Sequence, residues 1–241
     1  MKLYDETIKR ILNMLDGTSL KELDIVNANW PDVGDHNMIL RLDMAYELGG
    51  GNYPAVSAMG VTADSELVPT DEVYLLGPDL SEIKADQPYA RIAIVRVADD
   101  SLGDGNVLYN AIRKIEYVRY HINPQGYMTR ISASKNREPV RVGAEAIQNG
   151  LGFAQVGKLF LDKYHDNENI EAVKLIFITE PDFDFEVLFD YAKQMEDITG
   201  TIDHILKNVS MDCNSCSLQQ ICDEVEGLRE LHFVTSAGLT K

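Results

Sequence analysis

Apolar positions along this chain change their period several times, and each change marks an element. Ile8, Ile11, Leu12 and Leu15 recur at helical spacing behind Asp5, which predicts a short opening helix over residues 4–15. Segments 22–27, 38–46 and 55–62 then alternate or carry short apolar runs between turn residues. The stretches EVYLLG (72–77) and ARIAIVRVA (90–98) are β-branched and strongly apolar, so five strands are expected in succession. DDSLGDGN at 99–106 breaks the series. Beyond it Val107, Leu108, Ala111, Ile112, Ile115 and Val118 return to the 3.6 period, a helix that Pro124 and Gly126 end.

YMTRISAS (127–134) and PVRV (139–142) read as strands. Phe153, Val156, Phe160 and Tyr164 mark one side of a helix over about 153–164, and EAVKLIFIT (171–179) is a second strongly apolar strand. Pro181 and Asp182 precede a long helical pattern running from Phe185 to Ile205, which Gly200 is expected to divide. Strands dominate early and alternate with helices later. The expected class is α+β (or α/β): a mixed β-sheet with flanking helices and a small C-terminal cysteine-rich segment. Three regions follow: residues 1–69 as N-terminal helix and strands of the same fold, 70–207 as a central domain, and 208–241 as the cysteine-containing segment.

Composition narrows the function. With 241 residues and 45% apolar content the chain can bury a large core without disulfides or metal as a general staple. No apolar run reaches the length of a membrane span, and MKLYDETIKRILNMLDG lacks the features of a signal peptide, so a soluble, cytoplasmic protein is expected. The net charge of −17 argues against nucleic acid as a partner, because phosphate-backbone binding relies on an excess of Lys and Arg. The charge is uneven. Residues 101–160 hold eight basic and four acidic side chains, a basic island in an acidic protein.

All three cysteines fall within MDCNSCSLQQIC, as Cys213, Cys216 and Cys222. In a reducing compartment an odd number of closely spaced thiols points to metal ligation or redox work before structural bridges. A pair two residues apart can offer two thiolates to one metal from a single turn, and a third five residues on suits the start of a following helix. An iron-sulfur cluster or zinc is the expected occupant. Such sites normally take four protein ligands, so the fourth must come from Asp212, Asp223, His232, a partner chain, substrate or solvent. Buried hydrophobic cysteines and a Cys213–Cys216 redox pair are the competing readings. The five histidines, at 36, 121, 165, 204 and 232, show no ligand spacing with one another. GLGFAQVGK (150–158) lacks the glycine spacing and terminal Ser or Thr of a phosphate loop and reads as a helix start.

A longer pattern runs through the chain: LLGPDLSEI (75–83), IAIVRVA, IRKIEYVRYHINPQGYM (112–128), VRVGAEAIQNGLGFAQVGKLFLDKYH (140–165) and VKLIFITEPD (173–182). In this order, over about residues 70–205, it resembles the central domain of acetyl-CoA synthase, the beta subunit of the carbon monoxide dehydrogenase/acetyl-CoA synthase complex. The glycine run ELGGGNYPA (47–55) extends the likeness toward the N-terminus. In that family a catalytic domain with a nickel and iron-sulfur centre follows the central domain. Here the compact cysteine series stands in that place, so the expectation is a relative reduced to its middle portion with a small cysteine site attached.

The resemblance implies anaerobic one-carbon metabolism, acyltransferase-type chemistry if the chain turns over, and carbon monoxide dehydrogenase or a corrinoid protein as partner. It also implies coenzyme A handling by an arginine-rich surface. Arg130, Lys135, Arg137 and Arg141 lie in the basic island, and Arg137 and Arg141 match arginines of the family before and within its VRV strand. The tryptophan that the family carries in this strand corresponds to about Pro139 here. A solvated face pairing with acidic neighbours is the other reading of the island. The alternative function is a non-catalytic docking or assembly module with a structural metal.

Overall fold

The computed structural model describes residues 2–99, 101–103, 105–130, 132–206, 221 and 225. Helix α1 (Asp5–Leu15) is followed by the strands β1 (Lys21–Glu22), β2 (Met44–Leu48), β3 (Ala55–Thr62), β4 (Glu72–Leu76) and β5 (Tyr89–Val97). Then come α2 (Gly105–Tyr117), β6 (Tyr127–Thr129), β7 (Val140–Gly143), α3 (Ala144–Gln148), α4 (Phe153–Tyr164), β8 (Ile170–Ile178) and α5 (Phe185–Leu206).

Five strands form a mixed sheet in the order β1-β4-β8-β5-β3. β3 runs parallel to β5 and β4 parallel to β8, while β5 and β8 pair antiparallel at the centre. The two central strands are the two most apolar runs of the sequence, as strands covered on both faces should be. On one face Tyr89 of β5 and Phe177 of β8 meet Phe153 of α4, with ring centroids 6.2 and 4.7 Å apart. Helix α4 approaches closely because Gly157 has no side chain: a Cβ there would lie 2.6 Å from Val73 Cγ1. α5 runs along β3, with α1 and α2 packed against α5. Tyr4 and Thr199 share a buried hydrogen bond of 2.9 Å between the two helical segments.

A smaller antiparallel sheet, β2-β7-β6, docks on the α4 side. Its Tyr127 hydroxyl lies 2.6 Å from that of Tyr89, and its ring meets Phe153 edge-on at 6.5 Å. No helix among the described residues is long and apolar enough to cross a membrane.

The mixed sheet with flanking helices matches the expected class, and the cysteine-rich segment lies outside the described residues. Several boundaries differ from the sequence reading. The strand expected over 22–27 shrinks to Lys21–Glu22, because the Asp24 carboxylate accepts from Val26 N–H and turns the chain away. The strand expected over 38–46 is shifted to Met44–Leu48. Residues 40–43 turn through Asp43 N–H to Leu40 C=O, leaving Met38, Leu40 and Leu42 exposed. YMTRISAS keeps only its first three residues in a strand. The five-residue α3 is too short to leave a periodic signal.

Gly200 does not divide the last helix: α5 runs unbroken through it. Nothing among the described residues lies within 4 Å of a Cβ built at Gly200. Gly200→Ala is therefore expected to raise stability by about 0.5–1 kcal/mol, read as an increased urea midpoint.

Candidate functional site: an arginine-bound glycine turn

The turn ELGGGNYPA leaves β2 and enters β3, and its glycines are demanded by geometry. Gly49 (φ +64°) and Gly51 (φ +57°) both adopt the left-handed region, and a Cβ at Gly49 would fall 2.3 Å from Ala55 Cβ. Gly49 N–H donates to Gln87 C=O at 2.8 Å and Tyr53 N–H to Gly50 C=O at 3.0 Å, which closes the turn. Gly50 lies directly over the side chain of Glu47: a Cβ there would sit 2.6 Å from Glu47 Cγ and Cδ.

Three of the four predicted basic residues gather on this turn. Arg130 Nη1 donates to Glu47 Oε1, and Arg141 Nε donates to Glu47 Oε2 at 3.4 Å. Arg141 is the residue opposite Glu47 in the β2–β7 register, so the sheet itself places that pair. The exposed Arg137 donates from Nη2 to Gly51 C=O at 3.1 Å and forms no ion pair among the described residues. Lys135 does not join them. It pairs with Glu196 of α5.

Arg137 also forms one wall of an open cleft of about 960 Å³, whose other walls include Tyr53, Pro88, Phe183, Phe189 and Asp190. The cleft thus runs from the glycine turn to the start of α5. Its lining combines exposed aromatic rings, carboxylates and one guanidinium.

Beneath the basic loop lies an ionic network that sequence reasoning missed. Glu138, next to Arg137, turns inward and accepts from Arg91 Nη2 at 2.6 Å, with both side chains 5% exposed or less. Arg119 Nη1 lies 3.7 Å from the same carboxylate oxygen, and Arg119 Nη2 donates to Glu116 at 3.2 Å. Glu116 also pairs with Arg113. The Ser57 hydroxyl accepts from Arg91 at 3.1 Å and Arg119 at 3.2 Å, and the Arg91 guanidinium lies 4.6 Å from the centroid of Phe160. Burial alone would push the Glu138 carboxyl up, but the Arg91 and Arg119 guanidinium groups outweigh it and hold it below the ordinary range. Burial dominates at Glu116 and raises its carboxyl despite Arg119 and Arg113. A signal existed in the sequence: Arg91 stands near the start of the strongly apolar run ARIAIVRVA, where a buried guanidinium needs a carboxylate.

GLGFAQVGK is a helix start, as read. Gly152 N–H donates to the Gln155 side chain at 3.0 Å, and Phe153 N–H to Asp79 Oδ1 at 2.9 Å, so a carboxylate occupies the α4 N-terminus. Cys213, Cys216 and Cys222, with Asp212, Asp223 and His232, lie outside the described residues. Among the described residues no group of three or more His, Cys, Asp or Glu could hold a metal ion.

The family model of the CO dehydrogenase/acetyl-CoA synthase complex beta subunit matches residues 33–183, well over half of the chain. The chain belongs to this family. No curated protein sequence matches it. The segment matched to the beta-subunit family begins upstream of the glycine turn and ends just before α5. It therefore contains Glu47 with Arg130 and Arg141, Arg137 on the glycine turn, and the Arg91–Glu138–Arg119 network beneath them.

Proposed function

We propose that this chain acts as an acetyl-CoA-synthase beta-subunit-like protein in carbon monoxide and acetyl-CoA metabolism, receiving coenzyme A at the arginine-bound turn. The observation that carries the reading is the convergence of Arg130, Arg137 and Arg141 on residues 47–51, inside the segment that matches the family. Two of these guanidinium groups share the Glu47 carboxylate and the third meets backbone carbonyls, which leaves an excess of positive charge and spare N–H donors. Phosphate oxygens are the ligand atoms that such forks suit best. Arg137 is the cation most ready for a ligand, since among the described residues only backbone carbonyls hold it.

Cys213, Cys216 and Cys222 are proposed to hold an iron-sulfur cluster, with zinc as the other candidate; the bound group would supply a metal position that the protein leaves open to a substrate. A carbon monoxide dehydrogenase or a corrinoid protein is the proposed partner.

Two measurements test this. Calorimetric titration of the full chain with coenzyme A is expected to show about tenfold weaker binding for Arg137→Ala, equivalent to roughly 1.4 kcal/mol. Unchanged binding would remove Arg137 from the site. Metal and sulfide content after anaerobic preparation is expected to fall to background in Cys216→Ala. Equal content in variant and parent would remove the cysteine site.

A further inference from the structure

The cleft beside Arg137 is larger than a phosphate alone needs. Its volume of about 960 Å³ suits a whole nucleotide, and its two ends differ in charge. Arg137 stands at the glycine turn, with Nη2 on Gly51 C=O. At the other end α5 brings the carboxylates of Asp184, Glu186 and Asp190. The α5 N-terminus is closed to a phosphate there, because Asp184 Oδ1 already accepts from Val187 N–H at 3.0 Å. Aromatic rings lie between the two ends. Phe183 and Phe185 meet edge-on at 5.4 Å, and Phe185 is anchored in the core. Tyr53 on the turn and Phe189 on α5 are instead 43% and 38% exposed, and neither meets another ring among the described residues. Both rings are open to a flat ligand.

We propose that this cleft is the base subsite of a nucleotide ligand: phosphate oxygens meet Arg137, and the adenine ring stacks on Phe189 and Tyr53. This rests on the reading of coenzyme A as the ligand of the arginine-bound turn and says where its nucleotide half lies. The charge of the cleft sets the direction. The carboxylates of α5 repel phosphates but not an uncharged base, so the anionic end is driven toward Arg137 and the base toward α5. Among the described residues Glu186 and Asp190 form no ion pair. Their oxygens are free to accept from the exocyclic amino group that adenine presents. Stacking supplies the attraction, because every base offers a π face to an aromatic ring. Arg137 keeps Nε and Nη1 for the ligand, since its printed contacts to the turn use Nη2 alone.

Three probes separate the parts of the ligand: coenzyme A, adenosine 3′,5′-bisphosphate, which has the base without the pantetheine arm, and 4′-phosphopantetheine, which has the arm without the base. Each is titrated calorimetrically into the full chain as wild type, Phe189→Leu and Phe189→Tyr. The wild type is expected to bind the two adenine-bearing probes within about tenfold of each other and 4′-phosphopantetheine at least about tenfold more weakly than coenzyme A. Phe189→Leu keeps an apolar side chain on a half-exposed helix position but removes the ring. It should weaken both adenine-bearing probes by about tenfold and leave 4′-phosphopantetheine unchanged, while Phe189→Tyr, which restores a ring, should bind all three as the wild type does. Circular dichroism checks that each variant is folded. A folded Phe189→Leu that binds the adenine-bearing probes as tightly as the wild type, or that weakens all three probes equally, would overturn the base subsite; coenzyme A binding that still falls in Arg137→Ala would leave the arginine-bound turn standing. A wild type that binds none of the three probes would remove the coenzyme A reading and this subsite together.

Discussion

Glu138→Ala is expected to destabilise the protein by about 3–5 kcal/mol, the cost of removing one partner from a buried ion pair. The size follows from what the substitution leaves behind. Arg91 and Arg119 are each 5% exposed or less, and both lean on the same Glu138 oxygen. Arg91 Nη1 and Arg119 Nε already have no hydrogen-bond partner among the described residues. Without the carboxylate, Arg91 loses its ion pair and keeps the Ser57 hydroxyl and the face of Phe160, while Arg119 keeps Ser57, Glu116 and the Tyr120 hydroxyl. Urea denaturation followed by circular dichroism measures the loss. Glu138→Gln keeps the shape and an acceptor oxygen, so its cost should be distinctly smaller. A loss below about 1 kcal/mol for Glu138→Ala, the range of an exposed pair, would show that the network contributes no more than a surface salt bridge.

The same residue predicts a pH dependence. The Glu138 carboxyl is held below its unfolded value, so its contribution is complete above the ordinary carboxylate range, near about pH 4.3, and drains away as pH falls through the folded value. Glu116 acts with the opposite sign. Its folded value is raised, so its ionised form disfavours folding, and protonation on acidification relieves that strain. The wild type should therefore show a steep loss of stability only below the ordinary carboxylate range. In Glu138→Gln that limb should be shallower, measured as urea midpoints across an acid pH series.

How much of this was legible in the sequence differs between fold and site. The apolar runs that became β5 and β8 stood out at once, as did the periodic faces of α1, α2, α4 and α5, because burial on one face or two dictates a local pattern. Their arrangement was not legible. β8, the last strand among the described residues, inserts between β4 and β5 and pairs parallel with one and antiparallel with the other. Nothing local to residues 170–178 encodes those partners.

The basic island could be counted from composition, but its meaning depends on Glu47, which lies 83 residues from Arg130 and 94 from Arg141. Among 39 acidic residues, neither Glu47 nor Glu138 carries a mark that separates it from a solvated carboxylate. Only the fold does that. The alternation of Arg137 outward and Glu138 inward is the step that links core to site: one residue reaches the glycine turn while its neighbour pins the loop into the ionic core.

Phe153→Ala is expected to cost about 3–5 kcal/mol, because it empties the junction where the two sheets and α4 meet. Phe153 is fully buried. Its ring stacks on Phe177 at 4.7 Å and Tyr89 at 6.2 Å and meets Tyr127 edge-on at 6.5 Å, so one side chain touches β8, β5 and β6. Truncation removes the aromatic contacts and leaves a void bounded by the Tyr89–Tyr127 hydroxyl pair, which cannot relax without losing its buried hydrogen bond. Phe153→Leu keeps apolar contact and much of the volume and should cost less than about 1.5 kcal/mol. Trp30, the single tryptophan, donates its indole N–H to Gln125 C=O at 2.8 Å, just ahead of β6, and its fluorescence reports on the small sheet. Because Glu47, Arg130 and Arg141 are all carried by or beside that sheet, looser docking should disorder the arginine-bound turn before the main sheet unfolds. In Phe153→Ala the Trp30 transition in urea should precede the circular dichroism transition, and the proposed coenzyme A binding should weaken at urea concentrations where the helices persist. Coincident transitions with unaltered binding would show that the small sheet is held independently of Phe153.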